Sequence, residues 1–157
     1  IYIMSTKKPI KGNENLKAIS REHHHGLLLS WKIRAGFKKE VDPSRIKKYM
    51  DWFYTEHLVP HFEIEEKHIF PILGNDHELV KKALAEHRRL MRLFESENDI
   101  VKNIHLIEEE LEAHIRFEER VLFNEIQEVA TDEQLEQVQI HHTEEKFVDN
   151  TEDAFWL

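Results

Sequence analysis

The stretch HFEIEEKHIF, His61 to Phe70, returns fifty residues later as HIRFEERVLF, His114 to Phe123. Each copy sets a histidine four residues before a glutamate, the spacing that puts two side chains on one face of a helix. Helical phase then places His61 and Glu65 on the stripe that carries Met50, Ile64 and Ile72. It places His114 and Glu118 on the stripe of Ile107, Leu111, Phe117 and Val121. A buried carboxylate without a partner is expensive, and no lysine or arginine falls on either stripe. The fold must therefore bring the two copies together around something cationic.

The rest of the chain allows such a fold. With 4 Gly and 4 Pro in 157 residues, a turn-rich β architecture is disfavoured and long helices are expected. Breakers divide the sequence accordingly. A first helix starts near Asn13 to Asn15 and fades at Gly36. A second opens with Asp42 as N-cap and Pro43 at its first position, carries a kink at Pro60, and stops at Gly74. A third, capped by Asn75 or Asp76, runs from Glu78 to about Glu97. A fourth runs from Asp99 to about Val129, and a shorter fifth from Asp132 to about Phe147. The expectation is an all-α, up-down-up-down four-helix bundle in one domain over 1–157. Its core spans about 14–129, the C-terminal helix about 132–147, and an irregular tail packs Phe155 and Trp156 back onto the bundle.

Helices one and three add histidines to the same interior. His87 has Val80, Leu84, Leu90, Met91 and Phe94 on its side. In REHHHGLLLSW, His24 has Leu27, Leu28 and Trp31 at the offsets at which His87 has Leu90, Met91 and Phe94, so His24 is the preferred inward residue. His23, with Leu16, Ile19 and Leu27, is the alternative, and His25 is read as solvated. The spacing also occurs at His105 with Glu109 and His141 with Glu145, which phase assigns to the surface. Glu66 and Glu119 follow the inward carboxylates and are read as surface residues too.

One contribution per helix gives His24 or His23, His61 with Glu65, His87, and His114 with Glu118. Protonated histidines paired with the glutamates would satisfy the burial without any ion. Imidazole and carboxylate donors without thiolate otherwise suit iron, with manganese or zinc as substitutes. Two glutamates from different helices can bridge two ions, and six ligands leave positions open for a small ligand. Cysteine is absent, which removes disulfides, thiolate sites and a thiol nucleophile. A formal charge of −9 argues against nucleic acid and anionic membrane surfaces as partners. No apolar run is long enough for a membrane span, and the start lacks an apolar signal core. Met4 reads as a natural start, Ile1 to Ile3 as a remnant, and the expected location is the cytoplasm.

EHHHGLLLSW, HFEIEEKHIFPIL, EHRRLMRLF and HIRFEERVLF, taken in order, resemble the hemerythrin-like, or HHE cation-binding, domain over about Glu14 to Val129. The resemblance implies an up-down four-helix bundle with a non-haem di-iron centre. Its ligands would be His24 (or His23), His61, Glu65, His87, His114 and Glu118, with both glutamates bridging. It also implies a departure. Oxygen-carrying hemerythrins have a further ligating histidine one turn from the helix-three histidine, where this chain has Ala83 and Met91, and they end helix four with a histidine and an aspartate five apart. His57 and His68 lie close enough to the second stripe to be weighed as extra ligands. Three functions stay open: a protein that binds or senses oxygen, nitric oxide or iron; a di-iron oxidoreductase; and a non-catalytic helical module that binds a partner. Family members that repair iron–sulfur centres carry a cysteine-bearing segment that has no counterpart in this sequence.

Overall fold

The computed structural model describes residues 15–142 and 146–157. The start assigned to Met4, the first-helix start at Asn13 and the His141–Glu145 pair thus lie wholly or partly outside the described residues. Every regular element described is helical. Helix α1 is Lys17–Lys38. Helix α2, Pro43–Phe53, begins where Asp42 accepts a hydrogen bond from the Ser44 amide at 2.9 Å and proline occupies the first turn. It continues through a π-helical turn, Tyr54–Leu58, into α3, Val59–Ile64. A second π turn, Glu65–Ile69, and a 3-10 turn, Phe70–Ile72, complete that rod. Helix α4 is Glu78–Glu95, and α5 is Ile100–Phe117. A third π turn, Glu118–Leu122, joins α5 to α6, Phe123–Val129, and α7 is Asp132–His141.

The caps explain most boundaries. His77, rather than Asn75 or Asp76, caps α4, its Nδ1 accepting from the Leu79 amide at 3.1 Å. Thr131 and Gln134 form a capping box on α7. Gly74 takes φ +97°, which a side chain would resist, and so ends the second rod. Pro60 follows directly on a π turn, whose wider i→i+5 hydrogen bonding, Val59 N–H to Tyr54 C=O, accommodates the residue that lacks a donor.

Two apolar clusters form, with a polar belt between them in sequence. One gathers Leu29, Ile33, Ile46, Met50, Phe53, Leu90, Phe94, Ile104, Leu111 and Phe155. The other gathers Leu16, Ile19, Ile69, Phe70, Val80, Leu122, Phe123, Ile126, Leu135 and Val138. Each rod crosses from one to the other, and the order of crossing reverses from each rod to the next. At every crossing stands a buried histidine. Full burial of each large apolar side chain stabilises the fold by roughly 1.5–3 kcal/mol, which is what holds the polar residues of the belt in place.

The tail fastens the first cluster. Phe155 is buried against Gly36 and Ile46, where a Cβ on Gly36 would lie 2.9 Å from both side chains. Arg45 holds Asp153 through Nε at 2.8 Å and Nη2 at 2.6 Å. Lys32 Nζ donates to Asp149 at 2.5 Å and to Tyr49 at 2.9 Å, and lies 4.0 Å from the Trp156 ring centroid.

Candidate metal centre

The polar belt brings His23, His61, Glu65, His87, His114 and Glu118 together, all of them buried and both glutamates with zero exposure. The donor atoms fall into two sets, His23 with His61, and His87 with His114, and both sets share Glu65 and Glu118. Within each set the four atoms lie within 4.8 Å of one another. The sharing is resolved oxygen by oxygen. Glu65 Oε2 stands 3.2 Å from His23 Nε2 and 3.0 Å from His61 Nε2, while its Oε1 stands 3.1 Å from His87 Nε2. Glu118 Oε1 is 2.8 Å from His23 Nε2, and its Oε2 is 3.0 Å from His114 Nε2 and 3.4 Å from His87 Nε2.

The first helix contributes His23, and His24 is exposed. The preference for His24 is thereby corrected. Its physical cause is that the inward stripe of α1 runs Ile19, His23, Gly26, Ser30 and Ile33, with two small residues. A Cβ on Gly26 would come 2.6 Å from Ile115 Cδ1, so α1 approaches α5 through its small residues. The apolar residues that seemed to mark the inward face, Leu28 and Trp31, are 37% and 50% exposed. His25 is not simply solvated either; its ring stacks on Phe147 at 3.9 Å. His57 packs against Trp52, Phe53 and Phe147, and His68 stacks on His141 at 4.4 Å. Neither belongs to the two donor sets.

All four clustered histidines point Nε2 inward and Nδ1 at a further glutamate. His23 meets Glu119 at 2.6 Å, His61 meets Glu22 at 2.7 Å, His87 meets Glu66 at 2.7 Å, and His114 meets Glu86 at 2.6 Å. Assigning Glu66 and Glu119 to the bare surface is therefore a second correction. Each outer glutamate adjoins in sequence a clustered residue on the rod next to its histidine, so the four bonds close a ring around the bundle. Glu65 and Glu118 each open a π turn, and each has its carbonyl bonded five residues on, to Phe70 and Phe123. The sequence carried a signal for the ring: Glu-His occurs at 22–23 and 86–87, and Glu-Glu at 65–66 and 118–119. Aromatic rings cover the imidazoles, Phe62 on His87 at 3.7 Å and Phe123 on His23 at 5.4 Å.

Charge is delicately placed here. Burial opposes protonation of His23 and His87, yet the close carboxylates of Glu118, Glu65 and their outer glutamates raise both well above the usual histidine range. Burial likewise opposes charge on His61, but Glu65 and Glu22 bring it up to about 9. Burial and Glu118 push the Glu65 carboxyl up, and the surrounding histidines overcome them and hold it at about 2. Without an ion, then, the glutamates stay ionised against protonated imidazoles. The alignment is nevertheless poor. Glu65 Oε1, both Glu118 oxygens, and Nε2 of His87 and His114 are buried and make no hydrogen bond of acceptable geometry. Buried polar atoms that crowd without pairing are costly. Convergence on common points, rather than on one another, is what ligand atoms around a cation do. A nitrogen and carboxylate donor set without thiolate fits a divalent transition metal.

The model of the hemerythrin HHE cation-binding domain matches residues 14–96, more than half of the chain. The chain belongs to that family. No curated protein and no solved structure matches it. The hemerythrin match takes in His23, His61, Glu65 and His87, and the fold adds His114 and Glu118 from beyond its end. This hemerythrin-like chain therefore carries a buried His/Glu cluster that can hold metal cations.

Beside the cluster lies a cavity of about 710 Å3. His23, His61 and His114 form part of its wall, with Gly26, Phe62, Leu111 and Ile115 around them, and His25, His57, His142 and Phe147 also line it. No helix among the described residues is long and apolar enough to cross a membrane.

Proposed function

We propose that the chain holds two iron ions, one between His23 and His61 and one between His87 and His114, bridged by Glu65 and Glu118, and that it binds or senses oxygen or nitric oxide. The observation that carries this reading is the division of each shared carboxylate, one oxygen toward each histidine pair. Zinc or manganese would suit the same donors as substitutes. Two histidines and two shared carboxylates per ion leave room for a further ligand, and bound iron would supply a redox-active position for a diatomic molecule. The chain's own contribution is orientation and exclusion of water. The outer glutamates fix the tautomer that presents Nε2, and Phe62, Phe70 and Phe123 screen the imidazoles.

The reversal of apolar order from rod to rod supports an up-down-up-down course, and we take 1–157 as one hemerythrin-like domain working in the cytoplasm. Net charge of −9 makes nucleic acid an unsuitable partner. A turnover oxidoreductase is the second reading, favoured by the cavity, which is far larger than a diatomic molecule needs. A third reading, in which the fifth helix and the C-terminal tail would bind a partner, has less support, because Phe155 of that tail is buried in the chain's own core.

Metal analysis of protein purified from iron-supplied cells tests the proposal. Two iron per chain are expected, with visible absorption that disappears on reduction. A colourless, metal-free protein under those conditions overturns it.

A further inference from the structure

The cavity beside the cluster is the feature that a site for diatomic molecules leaves unexplained. Its volume of about 710 Å3 falls in the range of pockets that take whole organic molecules, whereas a water-sized guest fills only about 30 Å3. Its wall is a mixture of two kinds. Phe53, Leu58, Phe62, Leu111, Ile115 and Phe147 are apolar, and three of the six are aromatic rings. Imidazoles of His25, His57 and His142 stand beside them, groups that both donate and accept hydrogen bonds when neutral. The charged residues in the lining balance, Arg21, Lys67 and Lys146 against Glu22, Glu56 and Glu63. Away from the clustered histidines, therefore, the wall favours neither an anionic nor a cationic guest.

We propose that the cavity is a binding pocket for a neutral hydroxylated aromatic molecule, for which phenol and hydroquinone are minimal probes, lying against the wall of Phe53, Phe62 and Phe147 with its hydroxyl toward the imidazole edges. Aromatic rings stack on such a guest by their faces and edges, and its hydroxyl meets donors and acceptors that carry no fixed charge. Because His23, His61 and His114 belong to the same wall, a molecule in this pocket stands against the candidate metal pair. Only that last point rests on the proposed metal centre; occupancy of the pocket itself does not.

The structure explains why such a pocket forms. Wide π turns flank the region, at Tyr54–Leu58 and Glu65–Ile69, and they set the α2–α3 rod off from regular helical phase. Phe147 then supplies a wall from outside the rods, touching Trp52, Phe53, His25 and His57.

Calorimetric titration of the full chain with phenol and with hydroquinone tests the proposal, first on protein stripped with chelator and then on zinc-loaded protein. Saturable one-to-one binding is expected in both, with benzoate and benzylamine at least tenfold weaker. Leu58→Trp, which fills the pocket, should weaken hydroquinone at least tenfold while zinc content stays at the level of the parent protein. Phe147→Ala, placed outside any helix, should weaken it about fivefold, and it serves if Leu58→Trp fails to fold. Heat without saturation for both phenols, or binding indifferent to whichever variant folds, overturns the pocket. Phenol binding by a chain that takes up no metal would leave the pocket standing and remove the metal centre; the reverse pair of results would do the opposite.

Discussion

Two places in this bundle bury charge, and they do it differently. At the tail, Lys32 meets Asp149 and Tyr49 with short, aligned hydrogen bonds, and Tyr49 donates its own hydroxyl to Asp149 at 2.6 Å. Burial pushes the Asp149 carboxyl up, but Lys32 and Tyr49 bring it below the ordinary aspartate range. Burial and Asp149 together raise Tyr49, so it stays a neutral donor. In the belt, six ionisable side chains crowd within hydrogen-bonding distance, and five of their polar atoms still make no bond. A structural ion pair is complete in itself. A ligand set is complete only around something else.

Removing a shared carboxylate should separate the two most sharply. Glu65→Ala takes a donor from both sets at once, so bound iron should fall by at least 90%, read by elemental analysis after gel filtration. Glu118→Ala should match it. Retention of the parent's full metal content in either variant would mean that the belt, like the tail, pairs only with itself.

The pH dependence of stability should run in opposite directions with and without metal. In the metal-free chain, His61 is raised from 6.5 to about 9, so its share of stability is complete below about 6.5 and disappears as pH rises through 9. Glu65 is lowered from 4.5 to about 2, so its share is present above 4.5 and disappears as pH falls toward 2. Melting temperature of the metal-free protein should therefore be highest between about 4.5 and 6.5 and decline toward 9. Metal must displace the same protons, so the added stability from zinc should grow across that alkaline range and vanish on acidification. Parallel curves with and without zinc would detach the histidines from the metal.

At the tail, Asp149→Ala leaves Lys32 buried with Tyr49 and Trp156 as its remaining partners. A loss of about 2–3 kcal/mol is expected by denaturant titration, with metal content unchanged. Smaller in free energy is the outer ring. Glu86→Gln keeps shape but weakens the bond that holds His114 Nδ1, and metal affinity should fall about tenfold, which is about 1.4 kcal/mol, in a chelator competition. A loss of melting temperature in the metal-free protein with affinity intact would make Glu86 merely structural.

How much of this was readable in advance follows from where physics acts locally. The all-helical rods, the Asp42–Pro43 start and the inward faces of His61, Glu65, His87, His114 and Glu118 rest on period and capping, which neighbours in sequence decide. Glu66 and Glu119 were read as surface because phase was taken from a regular helix, whereas π turns begin at Glu65 and Glu118 and the histidine partners stand on other rods. The cap of α4 was misplaced by one or two residues because an imidazole can serve as an N-cap acceptor in place of the commoner Asn75 or Asp76.

The smallest expected effect belongs to His24, the residue that sequence preferred to His23. Large apolar side chains usually mark a buried face, and in α1 they mark the wrong one. Gly26 and Ser30 are buried because α1 lies close against α5: Ser30 Oγ donates to the Glu108 carbonyl at 3.0 Å, and Gly26 leaves no room for a Cβ beside Ile115. Small residues at a close crossing carry little hydrophobicity, so a period search passes over them and settles on Leu27, Leu28 and Trp31. His24→Ala should therefore leave metal content unchanged and unfolding free energy within about 0.5 kcal/mol of the parent, as for an ordinary exposed position. His23→Ala in the same assay should lose metal from the His23–His61 position first, because Glu65 and Glu118 would keep only His61 as a nitrogen partner there. Equal losses in the two variants would return the site to the face that hydrophobicity alone suggests.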